Sequence, residues 1–95
     1  MLATPEALTA TIKGLIEGAG DITANNALKY FSTRISNTIV DLRREGLLIE
    51  TRRVKAPSGK QYGVYFLIRN AANLEKARSL YETYTQKLKP AKKNI

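Results

Sequence analysis

Apolar residues at helical spacing begin the chain. They recur at i, i+4, i+7 and i+8, which is one face of a helix, at Leu8, Ile12, Leu15 and Ile16. Thr4 is a suitable N-cap residue for this helix, and Pro5 suits its first position. Glycines at positions 18 and 20 are typical of the residues that follow a helix. The pattern therefore predicts a first helix over residues 5–18.

Two shorter helices are predicted next. Thr23 can cap a second helix whose inward side chains are Ala24, Ala27 and Leu28 and whose last turn is closed by Tyr30 and Phe31. Ser32 can cap a third helix, which Gly46 ends and whose inward face carries Ile35, Ile39 and Leu42. Two short helices joined by a tight turn form a helix-turn-helix, in which the later helix is the recognition helix.

After Gly46 the period of the pattern changes from helix to strand. Residues 47–54 are rich in β-branched and apolar side chains, and Pro57, Ser58 and Gly59 make a turn. The next residues alternate between two faces, with Tyr62, Val64, Phe66 and Ile68 on one and Gly63, Tyr65 and Leu67 on the other. At most one of Tyr62 and Tyr65 can therefore face the core. The pattern predicts a β-hairpin with its tip at residues 55–60, directly after the recognition helix, which is the position of a wing.

A last helical pattern follows residue 70, and Pro90 stops it. Its apolar positions are spaced 3, 4, 3 and 4 residues apart, at Leu74, Ala77, Tyr81, Tyr84 and Leu88. This seam can pack back onto the first helix, or it can pair with a second copy of the chain; we favour the homodimer. The predicted fold is mainly α with a small β-hairpin (α+β), divided into a winged helix-turn-helix at residues 1–69 and a C-terminal helix with a basic tail at residues 70–95.

The charge and composition of the chain indicate which classes of function are compatible with it. The chain has 16 Lys and Arg against 8 Asp and Glu, a net charge of +8, which is typical of a polyanion-binding domain. It has no Cys and no His, which removes thiol chemistry, the usual zinc sites and any His-based catalysis. We therefore expect no enzyme, no cofactor and no metal. Because no apolar run approaches the ~20 residues of a membrane span, we expect a cytoplasmic protein.

The candidate DNA contacts lie on the third helix and the wing. The recognition-helix candidates are Ser32, Thr33, Arg34, Ser36, Asn37, Val40 and Arg44. These residue types suit a major groove, where Arg pairs with guanine, Asn with adenine and a Val methyl with the thymine methyl. An ordinary solvated helix face is the competing interpretation. The wing favours the DNA-binding interpretation, because most of its candidate contact residues are basic. These candidates are Arg52, Arg53, Lys55, Ser58 and Lys60. For Asp41 we favour a structural role, pairing with and orienting a basic neighbour, over a base contact.

Residues 22–67 resemble a winged-helix family common in phages and prophages. The matching elements are Ile22-Thr23, Ala27-Leu28, Arg34-Ile35, Ile39-Val40-Asp41-Leu42-Arg43, Gly46, Gly59-Lys60 and Tyr65-Phe66-Leu67. The family often carries an Arg immediately before the second Ile, where this chain has Thr38. If that Arg contacts DNA in the family, its role falls here to Arg34 or Arg44, or is absent. The resemblance implies a small regulator of phage or mobile-element genes, or an excisionase-like architectural factor.

Three functional hypotheses follow. The first is a sequence-specific regulator that binds double-stranded DNA through the recognition helix and the wing. The second is an architectural or replication-accessory factor that bends DNA and recruits another protein, with the C-terminal helix as a candidate docking surface. The third is a winged helix that acts through protein contact alone, as an antirepressor does.

Overall fold

The computed structural model describes residues 4–88. Its elements are, in order, α1 (Pro5–Glu17), a 3₁₀ segment (Ala24–Tyr30), α2 (Ile35–Arg44), β1 (Ile49–Lys55), β2 (Gln61–Leu67) and α3 (Ala71–Leu88). This order confirms the predicted fold of mainly helices with one hairpin. Pro90 and the rest of the predicted basic tail lie outside the described residues.

α1 begins and ends where its sequence signals are. The Thr4 hydroxyl accepts a hydrogen bond from the Ala7 backbone N–H at 3.2 Å, which satisfies one of the free donors of the first turn. Gly18 ends the helix with a φ of 68°, a left-handed conformation that costs glycine little. The guanidinium of Arg69 donates to the carbonyls of Leu15 and Ile16 at 3.2 and 2.9 Å, so a residue distant in sequence completes the cap.

The second helix is a 3₁₀ segment, and its inward residues differ from the prediction. Ala27 and Tyr30 are buried, whereas Ala24 is exposed and Leu28 and Phe31 are 79% and 68% exposed. A 3₁₀ helix repeats every three residues, so Ala27 and Tyr30 share one side of the segment and Leu28 falls on another; Ala24 precedes the non-helical backbone at Asn26. The prediction of an inward Leu28 was wrong because it assumed α-helical spacing. Thr23 precedes the segment but its side chain makes no capping hydrogen bond.

The N-cap of α2 is Arg34, two residues after the predicted cap, Ser32. Ser32, Thr33 and Arg34 precede the helix, and Arg34 has the extended φ and ψ of an N-cap residue, −139° and 102°. The Ser32 hydroxyl accepts hydrogen bonds from the Arg34 backbone N–H at 3.2 Å and from the Thr38 hydroxyl at 3.3 Å. Ser32 therefore orders the entry to the helix without being its cap, which corrects the assignment of these three residues to the recognition helix itself.

The hairpin has the predicted position and alternation. β1 and β2 pair antiparallel from Ile49 opposite Leu67 to Lys55 opposite Gln61. The Ala56 N–H donates to the Lys60 carbonyl at 2.7 Å and closes the tip. The backbone N–H of Tyr65 donates to the Ile22 carbonyl at 3.0 Å, on the side of β2 away from β1. The segment at residues 21–23 thus adds one bond to the sheet.

α3 packs along α1 and shares its core. Ala77 and Tyr84 are 0% and 3% exposed, and Leu74 and Tyr81 are partly buried against them. The predicted dimer seam is therefore wrong for Ala77 and Tyr84, because the chain's own helices cover them; the side chain of Leu88 lies outside the described residues. The buried core comprises Leu8, Ile12, Leu15, Ile22, Ala27, Tyr30, Ile35, Ile39, Leu42, Leu47, Ile49, Leu67, Ala77 and Tyr84.

Candidate nucleic-acid interface

The outward face of α2 carries a short row of predicted contact residues. Ser36, Val40 and Arg44 are exposed, and Asn37 is half-buried beside them. The opposite face is buried, with Ile35, Thr38, Ile39, Asp41 and Leu42. The spacing of 36, 37, 40 and 44 is that of one helical face, so these four side chains can approach the same surface.

The segment before α2 brings the other predicted helix contacts together in a shallow groove. Ser32, Thr33, Arg34 and Asn37 line this groove with Thr4, Ala7 and Phe31 from the preceding elements. Thr33 and Arg34 are exposed, whereas the Ser32 hydroxyl already holds two hydrogen bonds. None of the groove's described lining residues is acidic. The groove therefore suits an anionic group more than a cation.

Thr38 and Asp41 face the interior of the protein. Thr38 is fully buried and donates to Ser32, so the position where the resembling family often has an Arg is an inward one here. Asp41 is 4% exposed. Burial raises the pKa of the Tyr84 phenol, and the negative charges of Glu45 and Asp41 raise it further. Asp41 thus lies on the α3 side of α2, which argues against a base contact.

Arg43 extends from α2 toward the hairpin and makes contacts there that the sequence does not predict. Its guanidinium donates to the Ile49 carbonyl at 2.8 Å and to the Thr51 hydroxyl at 3.3 Å, and lies 6.0 Å from the Tyr65 ring centroid. Strand alternation places Thr51 opposite Tyr65, on one face of the hairpin. The only sequence signal is that position 43 lies near the outward side of α2, a few residues before β1.

The basic wing residues are divided between two faces of the hairpin. We call the face that Arg43 contacts the near face; its β1 residues are Thr51, Arg53 and Lys55. The opposite, far face carries Glu50, Arg52 and Val54. Ser58 and Lys60 are exposed at the tip.

Arg52 is occupied within the far face. Its Nε donates to Glu50 at 2.5 Å, and its guanidinium carbon lies 4.4 Å from the Phe66 ring centroid. The hydrogen bond between them raises the pKa of Arg52 and lowers that of Glu50. Of the predicted wing contacts, the near face therefore presents Arg53 and Lys55 on the side of α2, and Arg52 points away.

The comparison with protein families agrees with this arrangement. Residues 8–70 match the winged helix-turn-helix domain family. The chain belongs to this family. The match runs from α1 through β2 and ends just before α3, so the winged helix-turn-helix part of the predicted resemblance is confirmed. No curated protein and no solved structure matches the chain. A winged helix-turn-helix domain is typical of DNA-binding proteins, so membership of this family favours DNA binding.

The charge balance of this winged helix favours nucleic acid on the side of α2 and the wing. Between residues 32 and 60 there are seven basic and three acidic side chains. Of the acidic ones, Asp41 is buried and Glu50 is paired with Arg52. Among residues 4–88 the structure has no group of side chains suited to hold a metal ion. No helix in the same range is long and apolar enough to cross a membrane.

Proposed function

We propose that this winged helix is a sequence-specific double-stranded DNA-binding protein that regulates phage or other mobile-element genes. In this proposal α2 enters the major groove and the near face of the wing lies on the adjacent backbone. Residues 1–69 bind DNA, and residues 70–95 supply the C-terminal helix and basic tail. The observation that carries the proposal is that Arg43 of α2 bonds Ile49 and Thr51 of β1, the strand whose near face carries the cations Arg53 and Lys55.

The α2 row supplies groups for reading bases. Arg44 can donate two hydrogen bonds to guanine, Asn37 can pair with adenine, and Val40 can contact a thymine methyl group. Thr33 and Arg34 lie before the first turn of α2, where free backbone N–H groups and the helix dipole favour phosphate. Their role is to fix the register of α2 in the groove.

The wing supplies charge without sequence preference. Arg53 and Lys55 on the near face and Lys60 at the tip can neutralise phosphates. Each neutralised phosphate releases counterions, so the logarithm of the affinity falls linearly with the logarithm of salt concentration. Arg52 contributes less because Glu50 already partners it.

The test uses the full chain and a duplex selected from a random library. We expect its affinity to fall steeply between about 50 and about 200 mM salt, with a preference over random duplex at each concentration. Replacing Arg34, Asn37 and Arg44 together by Ala should abolish most of that preference. Lys13, exposed on α1, is the matched control, and Lys13→Ala should leave the preference unchanged. A flat salt response, or no binding near about 50 mM salt, contradicts the proposal.

A protein-contact role is the second candidate, and one observation favours it. Leu28 in the 3₁₀ segment and Phe31 directly after it are 79% and 68% exposed, and exposed apolar surface often marks a protein contact. If biological activity survives the triple replacement of Arg34, Asn37 and Arg44, this role or an architectural one replaces sequence-specific regulation. A palindromic selected duplex would support the homodimer, whose contact surface would have to exclude Ala77 and Tyr84.

A further inference from the structure

Arg43 connects the recognition helix to both strands of the wing. It bonds the backbone of β1 at Ile49 and the side chain of Thr51, and its guanidinium lies near the ring of Tyr65 in β2. Thr51 and Tyr65 are directly opposite in the strand register. One side chain of α2 therefore contacts a cross-strand pair and not a single strand.

The bond to Ile49 occupies an open sheet edge. The Ile68 N–H donates to the Leu48 carbonyl, so the neighbouring pair, Ile49 and Leu67, is one whose backbone groups point away from the partner strand. The Ile49 carbonyl thus faces outward from β1, where Arg43 satisfies it at 2.8 Å. A planar guanidinium suits this geometry because it offers several donors in a fixed arrangement.

The outer part of the wing depends on this contact for its direction. β1 is exposed from Thr51 to Lys55, so these residues pack little against the helices. Arg53 and Lys55 follow Thr51 by two and four residues on the near face. A small change in the angle of the hairpin at Thr51 therefore moves both cations relative to α2.

We propose that Arg43 is a positioning residue: it holds the wing at a fixed angle to the recognition helix and so determines how many phosphates the near face reaches. Arg43 does not itself contact DNA in this arrangement. The inference rests on the proposed DNA-binding function and assigns a specific residue to the coupling of its two contact surfaces.

A double-mutant cycle on the full chain tests this role. The variants are Arg43→Met, a wing variant with Arg53→Ala and Lys55→Ala, and their combination, all measured against the selected duplex over a salt series. Arg43→Met alone should lower the magnitude of the salt slope by about 0.9 for each phosphate that the wing no longer reaches. In the wing variant the same change should alter the affinity less than about twofold, because the cations that Arg43 positions are already absent.

Arg44 provides the matched control. It is the neighbouring exposed Arg of α2 but is proposed to read bases directly, so Arg44→Met should lower the affinity by the same factor in both backgrounds. If Arg43→Met behaves like Arg44→Met, Arg43 contacts DNA directly and the inference is overturned. An unchanged affinity and salt slope in the Arg43→Met variant also overturns it.

Arg43→Lys keeps the test decisive if Arg43→Met fails to fold. Lysine preserves the positive charge but not the planar fork, so a direct phosphate contact would keep the wild-type salt slope. A positioning role predicts a reduced slope for Arg43→Lys.

Wild-type binding to DNA tests the proposed function separately. If the wild type binds no duplex, both the proposed function and the role of Arg43 fail. Strong wild-type binding with additive effects of the variants removes only the role of Arg43.

Discussion

The side-chain amide of Asn73 hydrogen bonds both backbone polar groups of Leu48. The Leu48 N–H donates to Asn73 Oδ1 at 2.9 Å, and Asn73 Nδ2 donates to the Leu48 carbonyl at 2.9 Å. The same Nδ2 donates to the carbonyl of Ile68 at 2.7 Å, just after β2. Asn73 therefore ties the first turn of α3 to the base of both hairpin strands.

Replacing Asn73 by Ala should destabilise the whole domain. Asn73 is 4% exposed, and its removal leaves the Leu48 N–H without its acceptor. The Leu48 and Ile68 carbonyls each lose one of two donors and keep the backbone N–H groups of Ile68 and Asn70. We expect a loss of about 1–3 kcal/mol in the free energy of unfolding, measured by chemical denaturation. Asn25, which is exposed, is the matched control, and Asn25→Ala should change the value by under about 0.5 kcal/mol. Equal effects of the two variants would contradict the role given to Asn73.

The sequence predicts features whose causes are local. Thr4, Pro5 and Gly18 bound α1 because capping and left-handed turns depend on neighbouring residues only. The seam on α3 shows what apolar spacing cannot predict. The spacing indicates that Ala77 and Tyr84 are covered, but not whether this chain or a second copy covers them. The structure shows that α1 and the core of the same chain do.

The contacts that orient the candidate site could not be predicted. Arg43 and Asn73 both bond main-chain groups of the hairpin, and any residue can supply a main-chain carbonyl. Such a contact therefore requires no particular residue type at the position whose main chain is bonded. The prediction for the second helix was wrong for another reason. A stretch of seven residues fits the 3₁₀ period of 3.0 and the α-helical period of 3.6 almost equally well.

Gly14 permits the close packing of Tyr30 against α1. A Cβ at position 14 would lie 2.9 Å from Tyr30 Cε1 and 3.1 Å from its hydroxyl oxygen. Tyr30 is buried and its hydroxyl donates to Asp21, so it cannot easily move aside. Gly14→Ala should therefore destabilise the protein by about 1–3 kcal/mol, although Ala favours a helix by about 1 kcal/mol over Gly.

Truncating the partner provides the control for Gly14. In a Tyr30→Leu background the clash is absent, so Gly14→Ala should cost less there than in the wild type. Thermal or chemical unfolding of the four proteins gives the coupling energy. A stabilising effect of Gly14→Ala in the wild type would show that helix propensity outweighs the contact with Tyr30.

Phe31 has a backbone conformation that suits glycine. Its φ and ψ are 56° and 35°, and its side chain is 68% exposed, so little packing offsets the strain. Phe31→Gly should be about 1 kcal/mol more stable than Phe31→Ala, because both lose the same ring but only Gly relieves the backbone. At Lys13, exposed within α1, the order should reverse and Ala should be the more stable replacement. The same order at both positions, measured by thermal unfolding, would contradict this account of Phe31.

Asp21 should make the free energy of unfolding depend on pH in the acidic range. Hydrogen bonds from Lys29 and Tyr30 lower the pKa of its carboxyl below the ordinary value of 3.8. A carboxyl with a lowered folded-state pKa stabilises the protein above its unfolded-state pKa and loses that contribution as the pH falls through the folded-state value. The difference in unfolding free energy between the wild type and Asp21→Asn should therefore shrink as the pH falls from about 6 to about 2. A difference that stays constant over this range would contradict the role of Asp21.

The two neighbouring arginines of β1 should differ in their effect on DNA binding. Arg53 lies on the near face with Thr51, whereas Arg52 lies on the far face, bonded to Glu50 and stacked on Phe66. Arg53→Ala should reduce the magnitude of the salt slope by about 0.9, the value of one phosphate contact, and Arg52→Ala should change it by less than half as much. Both variants remove one positive charge from adjacent residues, so each controls for the effect of net charge on the other.

Equal slopes for the two variants would mean that the wing presents both faces to DNA, and a larger effect of Arg52→Ala would mean that the far face is the contact surface. Removing the competing carboxylate gives an independent check, because Glu50→Gln should free Arg52 and leave the dependence on Arg53 unchanged.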